Sequence, residues 1–451
     1  METERFLDEY DHDGEYIIRS LKRACLLESG ESEEFVRMHG LIHDMAWREC
    51  KDKVAIFIKR DAESDEERGL RIWNGVERLS LWDYSIDDVL INSSPSCIEH
   101  FRKNVTQLPN LRTMICKVPM LTTFPAGFFP LMSALTLLDL SNSFLLRELP
   151  PEIGKLINLE YLNVSETAIT ELPAEIQRLE KLRCLILNGT NIRLIKRGLI
   201  SRLQFLEIFS WVRRAGLPLD IDSNLIEELD GLPHLSEICI PITSDVSVGI
   251  LMGSHKLQRC IRKLVLYLII GLTFLVISPI LLSRMEHLEL CDCSELEEVK
   301  IFPGTYYPRH EFSLLRKVDI AGCHSLSDVS WLIYAPNLQT LELRDCIELR
   351  YCIALWGETN IQKMLIFSSL MVLRLVRLPS LDTIISSHVL PFPSLREIKV
   401  LKCHNLRKLP FDSKSAKNCL IHGEKKWWGS LRWEDKATKQ VFSSKFVHHS
   451  G

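Results

Sequence analysis

Residues 135–187 read LTLLDLSNSFLLRELPPEIGKLINLEYLNVSETAITELPAEIQRLEKLRCLIL. The phrase L-x-x-L-x-L, with aliphatic residues at its spaced positions, begins three times in this stretch, at Leu135, Leu159 and Leu182. Further copies follow, mostly 23 to 26 residues apart, and they begin at Leu235, Ile261, Met285, Leu315, Leu338, Leu370 and Leu395. A phrase that returns at a fixed period of this length predicts an array of similar units rather than one compact core.

The spacing within each copy predicts the shape of the unit. Alternation with a period of two residues is typical of a strand that directs one set of side chains inward and the other outward. Between the strands, residues 148–153 and 171–176 read E-L-P-x-x-I, and the proline forbids a long regular helix there. We therefore expect an α/β leucine-rich-repeat solenoid, with a parallel concave sheet and an irregular or short-helical convex side.

A small polar residue or a cysteine follows many of the strand phrases at a fixed position. The residues at this position are Ser143, Thr167, Thr190, Cys293, Cys323, Cys346 and Cys403. Such side chains bond the backbone where the chain turns away from a sheet. A zinc site would need paired C-x2-C spacings, and the isolated Cys291-x-Cys293 does not supply them, so we predict no metal site.

Composition places the chain among ordinary globular proteins. It has 451 residues, a net charge of −4, 46% hydrophobic residues and 25% charged residues. These values argue against a disordered chain, a collagen and a protein that binds nucleic acid through bulk charge. The acidic start lacks the basic and apolar parts of a secretory signal. We expect a cytoplasmic protein whose 14 cysteines are reduced, with peripheral association at the plasma membrane as an alternative.

Residues 264–283 form an uncharged stretch of 20 residues, a length that suits a membrane span. However, Leu264 and Leu288 occupy the same position of the repeat, so the period continues through the stretch. We therefore expect a hydrophobic convex wall or a patch that faces a partner, and no integral membrane segment.

Residues 1–60 do not repeat. Residues 15–25 have apolar positions at helical spacing, Gly30 interrupts them before the strand-like residues 35–38, and a second helical run begins at Leu41. One strand between two helices is too small to bury a core alone. The pattern predicts a part of a larger domain.

Two stretches of this unit carry a family resemblance. GEYIIRSLKRACLLES (residues 14–29) and FVRMHGLIHDMAWREC (residues 35–50) resemble the end of the winged-helix subdomain of plant nucleotide-binding leucine-rich-repeat (NBS-LRR) disease resistance proteins of the coiled-coil class. The repeats and the tryptophan-rich residues 423–435 resemble the same class. The expected order is a partial winged-helix unit (1–60), a linker with a degenerate repeat (61–107), leucine-rich repeats (108–412), and a cap and tail (413–451).

The resemblance implies a nucleotide switch in the full-length relatives. In the family a Met-His-Asp motif closes the winged-helix unit, and its histidine senses the phosphates of bound ADP. His39 matches that histidine, whereas Gly40 stands where the family has aspartate, which implies a looser switch or one no longer under constraint. No G-x4-G-K-[ST] loop occurs in the sequence. We therefore predict no enzymatic activity and no cofactor for this chain, with ADP and ATP bound only in the full-length relatives.

The resemblance also implies that the chain is the recognition and autoinhibitory region of an immune receptor. Its expected partners are a pathogen effector or a host protein, and an upstream nucleotide-binding domain through which any oligomer would form. An array of parallel strands offers outward positions that vary without disturbing the leucine core. The outward residues that we predict to bind a partner are His287, Glu289, Lys317, Asp319, Thr340, Glu342, Arg344, Arg374, Glu397 and Lys399.

Two alternatives stay open at this point. A free-standing cytosolic scaffold that competes as a decoy for the same partners would explain the altered Met-His-Gly motif and the absent phosphate-binding loop. An extracellular inhibitor is supported only by the potential glycosylation sites at Asn92, Asn104, Asn163 and Asn188, and the absence of a secretory signal opposes it.

Overall fold

Parallel strands dominate the computed structural model, which describes residues 27–29, 36–38, 54–58, 76–82, 108–124, 126–212, 223–301, 314–353, 367–385, 392–411, 419–433 and 435–448. The strands of these residues are β1 (Leu27–Ser29), β2 (Val36–Met38), β3 (Val54–Ile58), β4 (Arg78–Trp82), β5 (Thr113–Lys117), β6 (Leu137–Asp139), β7 (Tyr161–Asn163), β8 (Cys184–Ile186), β9 (Ile208–Ser210), β10 (Glu237–Cys239), β11 (Pro241–Ile242), β12 (Lys263–Tyr267), β13 (Phe274–Ile277), β14 (His287–Cys291), β15 (Glu298–Ile301), β16 (Lys317–Ala321), β17 (Thr340–Arg344), β18 (Tyr351–Ile353), β19 (Val372–Val376), β20 (Thr383–Ile385), β21 (Glu397–Leu401), β22 (Leu420–Gly423) and β23 (Phe446–His448). The α-helices are α1 (Ser223–Gly231), α2 (Asp245–Gly253), α3 (His255–Cys260), α4 (Pro279–Leu282), α5 (Lys425–Ser430) and α6 (Lys436–Ser443), and 3₁₀ helices span Phe129–Leu131, Pro151–Lys155, Ala174–Arg178, Ile200–Arg202 and Ser330–Tyr334.

Two large parallel sheets contain most of these strands. The first sheet has eight strands, β3 to β10 in chain order, and the second has nine, in the order β11, β12, β14, β16, β17, β19, β21, β22 and β23. A parallel bridge between Ile238 of β10 and Ile261, two residues before β12, links the two sheets. Each strand pairs with its counterpart in the next repeat, which is the arrangement of a solenoid. The predicted α/β leucine-rich-repeat solenoid is confirmed.

The repeated aliphatic residues occupy equivalent positions in the ladder. In the second sheet one paired column consists of Leu264, Leu288, Val318, Leu341, Leu373 and Ile398. Buried and outward residues alternate in the same way along β14, β16, β17, β19 and β21. A fully buried aliphatic side chain contributes roughly 1.5–3 kcal/mol relative to an exposed one, so the repeated phrase supplies the core.

Aromatic residues replace leucines in a strand that the sequence pattern did not reveal. Strand β9 lies between β8 and β10, and its Phe209 pairs with Leu185. Phe209 and Trp211 are fully buried at positions that leucine fills in other repeats. The loosely spaced stretch between Leu187 and Leu235 therefore contains one more repeat.

The sheets extend beyond the predicted repeat range of 108–412. At the amino end β3 pairs with β4 and β4 with β5, so the parallel sheet begins at Val54, before the expected boundary at residue 60. At the carboxyl end β22 and β23 continue the second sheet as far as His448. The phrase is degenerate in these strands, since Gly423 of β22 stands opposite Val400 of β21.

An antiparallel pair precedes the array. Strand β2 confirms the strand predicted at residues 35–38, and it pairs with β1, which the sequence pattern did not indicate. His39 and Gly40 lie outside the described residues. The nucleotide-sensing role of His39 and the division of the chain into four regions therefore stay predictions.

Short helices line the convex side in the first half of the array. The 3₁₀ helices Pro151–Lys155 and Ala174–Arg178 follow the prolines of the two E-L-P segments, Pro150 and Pro173. Their position confirms the predicted short-helical return. In later repeats α2, α3 and the small parallel sheets β13–β15 and β18–β20 occupy this side.

The apolar residues 264–283 keep the repeat register. Leu264 of β12 pairs with Leu288 of β14, as the spacing predicted. Beyond β12 the chain turns through Leu268 and Gly271, which both have a positive φ, and then forms β13 and α4. Among the described residues, we find no helix with the length and apolar character needed to span a bilayer.

One backbone conformation recurs where the strands end. A residue with a φ between 53° and 68° precedes the buried position that follows the strand, and the residues concerned are Asn142, Glu166, Gly189, Leu268, Asp292, Gly322, Asp345, Arg377 and Lys402. The backbone N–H of this residue commonly donates to a carbonyl of the next repeat, as from Asn142 to Ser165 at 3.0 Å. The left-handed turn therefore adds a final hydrogen bond to the ladder before the chain leaves the sheet.

The side chain that follows this turn bonds the backbone as the sequence predicted. The hydroxyl of Thr167 donates to the carbonyl of Val164 at 2.8 Å, and Sγ of Cys403 lies 3.3 Å from the carbonyl oxygen of Leu401. The cysteines of the described residues are free thiols, and burial raises the pKa of Cys346 to about 12. Within the same residues, no group of three or more His, Cys, Asp or Glu side chains is arranged to hold a metal ion.

Aromatic side chains cover the carboxyl end of the core. Trp428 stacks on Phe446 with ring centroids 4.4 Å apart, and Phe442 is fully buried. The indole nitrogen of Trp427 donates to the carbonyl of Leu406 at 2.9 Å. These contacts continue the apolar core of the repeats through the last described residues.

Two Gly→Ala substitutions, one in the left-handed turn and one in a helix, should have opposite effects on the stability of the fold. Gly322 has a φ of +68°, and an added Cβ would lie 2.2 Å from Oδ1 of Asp292, so Gly322→Ala should destabilise the fold by about 1–2 kcal/mol. Gly249, inside α2, has open space around its Cβ position, so Gly249→Ala should stabilise by about 0.5–1 kcal/mol. Urea unfolding measures both, and equal effects of the two substitutions would contradict the assignment.

Candidate functional site

The outward residues of the second sheet form three rows across its strands. Because the strands pair in phase, equivalent outward side chains lie side by side, about 4.8 Å apart. The first row is Lys263, His287, Lys317, Thr340, Val372, Glu397 and Leu420. The middle row is Val265, Glu289, Asp319, Glu342, Arg374, Lys399 and His422. The third row is Tyr267, Cys291, Ala321, Arg344, Val376 and Leu401.

All the residues predicted to bind a partner lie in these rows, which we call the concave rows. The first row contains His287, Lys317, Thr340 and Glu397, the middle row contains Glu289, Asp319, Glu342, Arg374 and Lys399, and the third row contains Arg344. The structure therefore brings these ten residues onto one surface. Their role in binding stays a prediction.

Charge changes sign along the middle row. Glu289, Asp319 and Glu342 are followed by Arg374 and Lys399 on the next two strands. At the junction Oε2 of Glu342 lies 3.6 Å from Nη1 of Arg374. A molecule lying across these strands would therefore meet ion-paired carboxylates on three strands and cations on the next two.

Arg344 connects two of the carboxylates. Its Nη2 lies 3.2 Å from each carboxylate oxygen of Asp319, and its Nε lies 3.3 Å from Oε1 of Glu342. The Asp319 and Glu342 side chains are only 14% and 17% exposed. Burial raises the pKa of Asp319 above its ordinary value in spite of the favourable charge of Arg344. The network holds its side chains in place before any partner arrives, which lowers the entropy cost of binding.

His287 lies between two cations in the first row. Its neighbours are Lys263 and Lys317, and its buried Nε2 has no hydrogen-bond partner among the described residues. Burial, reinforced by repulsion from both lysines, lowers the pKa of His287 to about 4. The pKa of Glu289 is lowered as well, but for a different reason. Burial alone would raise it, but Lys263 lies 3.2 Å away and its attraction keeps the pKa below the ordinary value.

The concave rows also contain apolar residues, which the sequence pattern did not indicate as binding residues. Tyr267 lies on β12, and Val372 and Val376 lie on β19, whereas Val265 of β12 is buried. Leu420 is 48% exposed on β22. The alternation that identified the charged positions also marks these, and apolar side chains beside fixed charges are typical of protein-binding surfaces.

The middle strands of the first sheet present a different surface. Their outward positions include Cys184, Ile186 and Ile208, which form a small buried apolar cluster against Tyr161. The charged network therefore belongs to the later repeats, which contain the residues predicted from the sequence to bind a partner.

The low pKa of His287 predicts a pH-dependent contribution to stability. At pH 7 the histidine is neutral in the folded chain and mostly neutral in the unfolded chain. Between about pH 6.5 and pH 4 the unfolded chain takes up a proton that the folded chain does not, so stability falls as the pH falls. Urea unfolding at pH 7 and pH 5 should show that the native chain loses about 1–2 kcal/mol more than His287→Gln does. Equal losses would mean that His287 is not held neutral between the lysines.

The sequence matches known proteins along nearly its whole length. The family model "Leucine-rich repeat region" matches residues 131–417. The disease resistance protein RPS5 of Arabidopsis thaliana is 31% identical over 449 residues, which are 95% of this chain and 48% of that protein. The disease resistance protein SUMM2 of the same plant is 30% identical, with 97% of this chain and 50% of that protein covered.

The chain spans about half the length of the curated relatives that it matches. Among solved structures, the LRIM1/APL1C complex gives a TM-score of 0.42 at 14% identity and covers 74% of this chain and 60% of that one. The match to the family model covers well over half of the chain and agrees with the parallel ladder described above. The chain belongs to the leucine-rich-repeat family, and its homologues are plant disease resistance proteins, as the sequence resemblance predicted.

Proposed function

We propose that the chain is the recognition region of a plant immune receptor and that the concave rows bind a protein partner, either a pathogen effector or a host protein. The observation that carries this proposal is the charged network of the second sheet, in which the carboxylates of three strands meet the cations of the next two at Glu342 and Arg374. The plant disease resistance proteins among its relatives support a role in defence.

The chemistry of the surface supports a protein as the partner. Both signs of charge lie within neighbouring strands, whereas a nucleic acid would require a surface that is basic throughout. The carboxylates are partly buried and held by arginines, so they are oriented before binding. Charges fixed in this way steer association and reject partners of the wrong pattern. We expect the partner to place basic groups near Asp319 and acidic groups near Lys399.

The regulatory part of the proposal rests on the family resemblance. The receptor would be held inactive by contacts between these repeats and a nucleotide-binding domain, and partner binding would weaken those contacts so that ATP replaces ADP there. This chain would contribute binding surfaces and His39, but no catalysis and no cofactor of its own. We place the receptor in the cytoplasm, with peripheral membrane association as an alternative.

An exchange of charges across the Glu342–Arg374 pair separates binding from folding. Glu342→Lys alone places three cations together and should destabilise the fold by about 1 kcal/mol. The double substitution Glu342→Lys with Arg374→Glu restores an ion pair between the two strands, but it leaves the new cation beside Arg344 and the new carboxylate beside Glu397. It should therefore recover only part of that loss while it inverts the pattern offered to a partner. Thermal unfolding measures the recovery.

Proximity labelling in pathogen-challenged leaves then measures binding. The full chain is fused to a biotin ligase, and the double variant should lose specific labelled proteins that the native chain retains. The matched control exchanges Arg183 and Glu207, an exposed ion pair with 2.6 Å between its charged atoms beside the first sheet. This control should label the same proteins as the native chain. Identical labelled sets from all three chains would refute partner binding by the concave rows.

A further inference from the structure

A groove separates α2 from β13 on the convex side. Its volume is about 400 Å³. One wall consists of Val248, Gly249 and Met252 of α2, and the other consists of residues 271–276. An added Cβ at Gly249 would have no atom within 4 Å, so the groove is open along the helix as well as along the strand.

Strand β13 presents an unpaired edge to this groove. In a parallel ladder the N–H and C=O of one residue point to the same neighbour, and successive residues alternate between the two sides. The carbonyl of Thr273 accepts from the N–H of Glu297 at 2.8 Å, on the side of β15, so Leu275 faces β15 as well. The N–H and C=O groups of Phe274 and Val276 therefore point away from β15. Within the part of the chain that the structure describes, no second strand pairs with β13.

Exposed apolar side chains lie on this strand and next in sequence to the groove-lining residues Asp245 and Gly271. Ile270 is 79% exposed, Val246 is 59% exposed and Phe274 is 56% exposed. An open strand edge beside apolar side chains is a template for a further strand, because it combines unmet backbone hydrogen bonds with surface that gains from burial.

The charges near the groove select among extended segments. Asp245 lines the groove at the start of α2, and Glu295 accepts a hydrogen bond from the N–H of Gly271 at 3.1 Å. The ammonium group of Lys300 lies 5.6 Å from the ring centroid of Phe274, and Glu298 pairs with it at 2.9 Å, which leaves Asp245 and Glu295 as the net charge of the rim. The rim is therefore acidic. A second copy of this chain would bring two such rims together, whereas a segment with a basic residue would complement one.

We propose that this groove binds an extended segment of a partner protein as an additional strand on β13. The segment carries apolar side chains at alternate positions and a basic residue beside Asp245. Its backbone supplies partners for Phe274 and Val276, and its apolar side chains cover the groove between the strand and α2. This site lies on the side opposite the concave rows, and it does not rest on the function proposed for them.

Fluorescence anisotropy with the full chain tests this proposal directly. The probe is a labelled synthetic peptide of alternating valine and threonine with one terminal arginine, and the control peptide has the same sequence with alternate backbone nitrogens methylated. We expect the probe to bind and methylation to weaken binding at least about tenfold, because it removes the hydrogen bonds of an added strand.

Two variants and one control locate the site. Gly249→Leu fills the groove from the helix and should abolish binding, whereas Gly253→Leu, on the same helix but outside the groove lining, should not. Val276→Pro removes one N–H from the open edge and should also abolish binding. Thermal unfolding of each variant verifies that it is folded, and Gly249→Leu keeps the test valid if the proline variant is not.

Three results would overturn the proposal. Equal binding of the methylated and unmethylated peptides would show that no strand is added. If the Gly249→Leu chain bound the peptide as tightly as the native chain does, the peptide would lie outside the groove. A dimer of the native chain that Val276→Pro converts to a monomer in sedimentation velocity would show that a second copy occupies the edge.

Discussion

The hydrogen bond from the left-handed residue at the end of one strand to the backbone of the next repeat is the contact on which the rest of the structure depends. The N–H of Gly322 donates to the carbonyl of Arg344 at 3.0 Å, and the N–H of Asp345 donates to that of Val376 at 3.1 Å. These bonds end the strands at the same place in successive repeats, so the strands pair in phase. A slip by one residue would turn the leucines to solvent and the charged residues into the core.

In-phase pairing produces both the concave rows and the groove beside β13. On the concave side it brings Glu342 within reach of Arg344 and Arg374, which come from its own strand and the next repeat. On the convex side, equivalent positions of successive repeats form a helix, α2, in one repeat and a strand, β13, in the next. Because a helix cannot pair with a strand, β13 is left with one open edge. One register therefore accounts for a charged network on one side and an unpaired strand on the other.

Much of the fold could be predicted from the sequence, because ten copies of one phrase specify the period and the buried face. The repeat containing Phe209 and Trp211 could not, since aromatic residues replaced the leucines that define the phrase. The left-handed positions of Glu166 and Lys402 could not either, because neither residue type favours a positive φ and only the ladder imposes it. For the candidate site, alternation identified the outward charges. Their pairing, such as Arg344 with Asp319, required knowledge of which strands are neighbours.

The register is tested most directly by a distance along the first row. Spin labels are attached through non-natural amino acids at Lys317 and Leu420, two exposed positions four strands apart in the second sheet. Four spacings of about 4.8 Å place these positions about 19 Å apart. Pulsed electron resonance should give a single narrow distribution near 20 Å, within the reach of the label linkers. A broad distribution, or a mean beyond about 40 Å, would contradict the in-phase array.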